Sequence, residues 1–261
     1  MFAGLEAMIA DAIAKNEGAI PNNPHNASLL VSKNQMMRQP GFADGIRSNA
    51  QYVEGSASAR SGRGVPIIAI FAQEHMRADA GSAVRTVEQA FPVLESFVRS
   101  HYSFSAAWIW YGFVIGAFGG NGQVYIEDRG TYEARTGQTR LPHEAMLIHE
   151  HAHSYVGSEA LTQFLEAYVF NFLRTGSERV PDWLLTRQYS PFDSANVDLA
   201  ALLDVYQMIG ADAMSRGYEA ILPHKPPYGS PLTESAKQAF AAVVPEEFRS
   251  QVLAKLSAVT F

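Results

Sequence analysis

Between Leu141 and Gly176 the sequence writes two helices almost end to end, and few folds can accommodate them. LPHEAMLIHEHAHSYVG opens with Pro142, which sits in a first helical turn where its missing N–H costs nothing. It closes on Gly157, a residue that readily takes the left-handed conformation past a helix end. Ser158 follows at once as a cap, and SEALTQFLEAYVFNFLRTG runs to about Arg174 before Gly176 stops it. Helices joined so tightly at 157 and 158 fold back as a hairpin. Residues at equal distance from the turn then stand level with each other.

The flanking sequence supplies a sheet. VPIIAIFA, 65–72, is a short apolar run suited to a strand buried on both faces. Residues 80–101 place Val84, Val87, Ala90 or Phe91, Leu94 and Val98 on one helical stripe. The run 106–118 reads as a second buried strand, broken by Gly119-Gly120-Asn121-Gly122. QVYIED, 123–128, then alternates like a strand with one exposed face, so a hairpin is expected, with 123–128 as the edge. Residues 17–65, rich in Asn, Gly, Ser and Pro, read as loops, and 181–261 as helices between Pro-containing loops. The expected class is α+β, divided into an irregular lead-in (1–64), a core (65–180) and a helical C-terminal part (181–261).

Composition narrows the function. Twenty basic against 26 acidic side chains leave a formal charge of -6, which provides no field for nucleic acid or anionic lipid, and the absence of cysteine removes thiolate chemistry. The N-terminal MFAGLEAMIADAIAK carries Glu6 and Asp11 where a signal peptide would be uninterrupted and apolar, so a short amphipathic helix is expected there. FSAAWIWYGFVIGAF, 104–118, falls short of the roughly 20 residues that a membrane helix needs. Lacking a signal or a span, the chain is assigned to the cytoplasm by default. No glycine-rich loop followed by Lys-Ser/Thr points to phosphate binding.

Of the eight histidines, four (His143, His149, His151 and His153) crowd into the first of the two helices. His149-Glu150-His151-Ala152-His153 matches H-E-x-x-H: residues four apart share a helix face, so the outer imidazoles can hold one zinc ion, with Glu150 beside it as general base. The zinc lowers the pKa of a water toward about 7 and polarises a carbonyl, which is chemistry for amide hydrolysis. Such a site needs a third protein ligand. His149 precedes Gly157 by eight residues and Glu166 follows Ser158 by eight, so both stand about 12 Å from the turn. Glu166 is therefore the first choice. Glu159, whose place at a helix start suits it to meet the dipole, is the rival.

These residues resemble the catalytic domain of gluzincin zinc metallopeptidases, most closely those like aminopeptidase N, over about 65–225. Gly116-Ala117-Phe118-Gly119-Gly120-Asn121 is similar to the family's G-A-M-E-N segment, Tyr155-Val156-Gly157 to its W-x-G, and FLEAYVFNF to the helix bearing its glutamate ligand. The resemblance implies a thermolysin-like gluzincin core: a small mixed sheet with an edge strand, a zinc helix and a ligand helix, followed by helices. It also implies a peptide or protein substrate held at Gly119, Gly120 and Asn121, and a tyrosine that steadies the oxyanion. Tyr189 best matches that tyrosine, with Tyr206 and Tyr218 as alternatives. Gly119 and Gly120 stand where the family has the glutamate that grips a free amino terminus, so exo and endo cleavage both stay open. A zinc-binding scaffold without activity is the competing expectation, and hydrolysis of a non-peptide bond a third. Oligomeric state is not legible.

Overall fold

The structure, a computed structural model, describes residues 4–18, 24–137, 140–185, 194–224 and 232–259. They form a mixed α+β chain that divides into two compact units. The first comprises Met1–Ser56, Val65–Glu88 and Phe104–Glu150; the second comprises Ala57–Gly64, Gln89–Ser103 and His151–Phe261.

The first unit is built on a five-stranded sheet of order β1-β2-β3-β5-β4, with β1 Tyr52–Ser58, β2 Gly64–Phe71, β3 Ala107–Tyr111, β4 Ala117–Gly120 and β5 Gln123–Ile126. β2 runs parallel to β3 and β3 parallel to β5, while β4 pairs antiparallel with β5, Gly119 opposite Val124. The helix α4, Arg77–Val98, carries the chain from β2 to β3. Strand β2 appears where the apolar run predicts it, and α1, Leu5–Gly18, bears out the amphipathic N-terminal helix.

Three expectations need correction. The edge strand is β4, not 123–128: β5 lies between β3 and β4, with Val124, Tyr125 and Ile126 all buried, as an interior strand requires. The run 106–118 is not one strand. β3 stops at Tyr111, and Gly112 and Gly116 take left-handed φ angles of 81°, turning the chain through a segment that stays apolar because Phe113 and Val114 enter the core. Finally, 17–65 is not mainly loop. It contains α2, Pro24–Met37, α3, Phe42–Ser48, and β1. Asparagine there suggests turns, but Asn34 is interior, its side chain accepting at 2.8 Å from that of Asn16 in α1, which also donates to the Phe113 carbonyl. Leu5, Ile9, Ala12, Met37 and Ile46 pack with Ile68, Ile70, Trp110 and Tyr125 in one core.

Past β5 come α5, Arg129–Thr136, and α6, Arg140–Ala152. Lys33 of α2 donates to the carbonyls of Gly112 and Val114 at 2.7 and 3.1 Å, fixing the loop that leads into β4.

The second unit is helical: α7 Glu159–Thr175, α8 Asp182–Leu185, α9 Ser194–Ile221, α10 Glu234–Ala242 and α11 Arg249–Leu256. Helix α9 breaks at Gly210 (φ 76°). Helices α7, α10 and α11 all pack on α9. Phe97, Phe164, Tyr168 and Tyr218 form an aromatic core with ring centroids 4.4–6.0 Å apart. No helix among the described residues is long and apolar enough to cross a membrane.

Candidate metal centre

Helix α6 ends sooner than its sequence suggests. After Ala152 the chain tightens into a turn, with Ser154 N–H donating to the His151 carbonyl at 3.0 Å and Tyr155 N–H to the Ala152 carbonyl at 2.9 Å, so Gly157 is not its cap. The turn is held by an aromatic cluster: the His151 ring lies 5.6 Å from Phe91, 5.7 Å from Tyr102 and 5.9 Å from Tyr155. Helix α7 begins as expected, with Ser158 accepting from Leu161 N–H and Gly176 closing the helix at φ 69°.

The early end of α6 changes which carboxylate the hairpin places beside the histidines. Heights counted along two continuous helices no longer apply, because 153–158 is not helical. Glu159, in the first turn of α7, is brought to His149 and His153, their ligand atoms all within 4.8 Å of one another. Glu166 is not in this cluster. It lies two turns further along α7, about 10 Å at 1.5 Å per residue. Among the described residues no other group of three such side chains converges in this way.

The donor set fits zinc. Two imidazoles and a carboxylate are the protein ligand set of a catalytic zinc site. The His153 Nε2 to Glu159 Oε1 separation is 3.4 Å. Two ligands each about 2.0–2.1 Å from a tetrahedral ion are separated by about 3.4 Å, so this pair already has the required spacing. His153 is buried, and its Nδ1 meets the Thr162 hydroxyl at 3.1 Å.

Glu150 is also buried, 8% exposed, in the last turn and a half of α6. Gly119 of β4 runs directly against it: a Cβ there would overlap the carbonyl, carbonyl carbon and Cα of Glu150. The edge strand thus meets, backbone to backbone at Gly119, the end of the helix that bears His149 and Glu150. Asn121 (φ 52°) and Gly122 (φ 77°) make the two-residue turn between β4 and β5, left-handed at both positions as a tight hairpin demands, and this accounts for Asn121 structurally. Gly120 (φ 129°) closes β4.

The other histidines of the helix have separate partners. His143 Nε2 is 2.9 Å from the Glu127 carbonyl. Burial pushes His151 down to about 4, so it stays neutral near pH 7. Tyr189 lies outside the described residues. Of its alternatives, Tyr218 is fully buried with its hydroxyl donating to the Leu161 carbonyl at 2.8 Å, and Tyr206 is buried with its ring 5.5 Å from Phe164. Ser158 is legible in the sequence only as a helix cap, and Thr162 not at all. Their i, i+4 spacing in the first turn of a helix that begins just past H-E-x-x-H was the available signal.

Aminopeptidase A of Legionella pneumophila, solved in complex with aspartic acid, is 14% identical, with a TM-score of 0.58 over 80% of this chain and 28% of that one. A variant of an M1 zinc metallopeptidase from Deinococcus radiodurans, solved with a Tyr-Ser-Ala substrate, is 16% identical, with a TM-score of 0.50 over 80% of this chain and 52% of that one. This chain shares the fold of part of each of these two proteins. It spans about a quarter and about half of their respective lengths. No family model matches the chain. No curated protein matches it.

Proposed function

We propose that the chain is a zinc-dependent peptidase that hydrolyses peptide bonds with Glu150 as general base, on a thermolysin-like gluzincin core. The observation that carries this reading is the convergence of the His149, His153 and Glu159 ligand atoms within 4.8 Å of one another, one residue from a buried carboxylate. His149, His153 and Glu159 would hold the ion. A bound zinc supplies positive charge that acidifies water and polarises a carbonyl.

The chain's own groups do the remaining work. Glu150, anchored in α6, takes the proton of the attacking water and returns it to the leaving amine. Strand β4 is an edge of the sheet that meets α6 at Gly119, and an extended peptide can add to it as a further strand through main-chain hydrogen bonds. Gly119 and Gly120 keep that edge free of side chains. Tyr189 is assigned to the oxyanion through the family resemblance.

The test is a peptide library with the zinc-loaded chain. Glu150→Gln retains about one zinc per chain and loses nearly all hydrolysis. Unchanged turnover in that variant rejects the mechanism, and an intact chain that binds zinc but cleaves nothing in the library favours a scaffold.

A further inference from the structure

We propose that Thr162 is a positioning residue that selects the tautomer of His153 and thereby makes its Nε2 available to the metal. This rests on the zinc-binding reading above. The chemistry lies in the direction of two hydrogen bonds. The Thr162 hydroxyl is 2.9 Å from the Ser158 carbonyl, one helical turn before it, and 3.1 Å from His153 Nδ1. The Ser158 carbonyl can only accept and is the nearer of the two partners, which favours placing the hydroxyl's single proton on it. The hydroxyl oxygen then meets the imidazole with lone pairs, and Nδ1 carries the proton.

A neutral imidazole protonated at Nδ1 has its lone pair on Nε2. Nε2 is the atom that lies 3.4 Å from Glu159. Thr162 and His153 are both buried, so water does not readily take over either bond. One turn of α7 therefore does three things: Ser158 caps it, Glu159 supplies the carboxylate, and Thr162 orients the imidazole that faces that carboxylate.

The experiment compares the full chain with Thr162→Val, which keeps the shape and removes the hydroxyl, and with Thr162→Ser, which keeps the hydroxyl. Long-range proton–nitrogen correlation of 15N-histidine in metal-free protein at pH 8 reads the tautomer of His153 directly. Zinc affinity is read by competition with a chromophoric chelator. The parent chain and Thr162→Ser are expected to show the Nδ1-protonated form. Thr162→Val should shift toward the Nε2-protonated form and bind zinc about 10- to 100-fold more weakly, with an unchanged circular dichroism spectrum. An Nε2-protonated His153 in the parent chain overturns the proposal, as does a Thr162→Val variant that keeps both tautomer and affinity. If the parent chain takes up no zinc, the peptidase reading fails, while the nitrogen spectra still decide the role of Thr162.

Discussion

The contact between Gly119 and α6 can be tested with one methyl group. In Gly119→Ala the new Cβ would fall on the carbonyl, carbonyl carbon and Cα of Glu150, all backbone atoms, so no rotamer change makes room. Non-bonded carbons settle at about 3.5–4.0 Å, so strand and helix must separate by on the order of 1 Å or more. Overpacking of this kind costs about 1–3 kcal/mol. For a chain of 261 residues, at about 2–4 °C per kcal/mol, the melting midpoint falls by about 2–12 °C. The displaced segment carries Glu150, and a shift of about 1 Å at a general base lowers turnover by about 100-fold. Thermal unfolding by circular dichroism and peptide hydrolysis measure the two effects separately. Gly64→Ala in β2 is the control, because a Cβ there meets nothing within 4 Å and should move stability by about 0.5 kcal/mol or less. If the two variants melt together, the close approach of β4 to α6 has been misjudged.

Removing the third carboxylate separates the two glutamates: Glu159→Ala should lower zinc occupancy sharply, while Glu166→Ala should leave it near one per chain, as elemental analysis of protein purified without metal-affinity steps will show. Exhaustive chelation should abolish hydrolysis, and added zinc should restore it; activity that survives metal removal would point to different chemistry. Tyr218 gives a prediction at alkaline pH. Burial holds its hydroxyl well above the ordinary tyrosine range, so above about pH 10 the unfolded chain loses a proton that the folded chain keeps, and stability falls as pH rises. Tyr218→Phe should flatten that fall in urea titrations between pH 9 and 11, at a cost near neutrality of about 1 kcal/mol for the lost bond to Leu161; an unaltered slope would mean that Tyr218 does not carry the effect.

The sequence carried the local features well. Ser158 and Gly176 mark the ends of α7, the Asn-Gly pair marks the β4–β5 turn, and the spacing of His149 and His153 places them together. What local pattern could not carry was tertiary. The end of α6 at Ala152 coincides with the packing of His151 against the neighbouring Tyr155 and against Phe91 and Tyr102, which are brought from elsewhere in the chain, and the placing of Glu159 beside the histidines depends on that end. The 112–116 turn was hidden because a buried loop is as apolar as a strand. Helices α2 and α3 escaped notice because their stability comes from core contacts more than from helix-forming composition.

The three side chains of the candidate metal centre, His149, His153 and Glu159, belong to one short run of chain. Drawing them together closes only small loops, and the entropy lost in closing a loop grows with its length. An ion gripped here therefore acts on the chain much as a local staple would. Held by these three residues, it would join the end of α6 to the start of α7 at little cost in chain entropy.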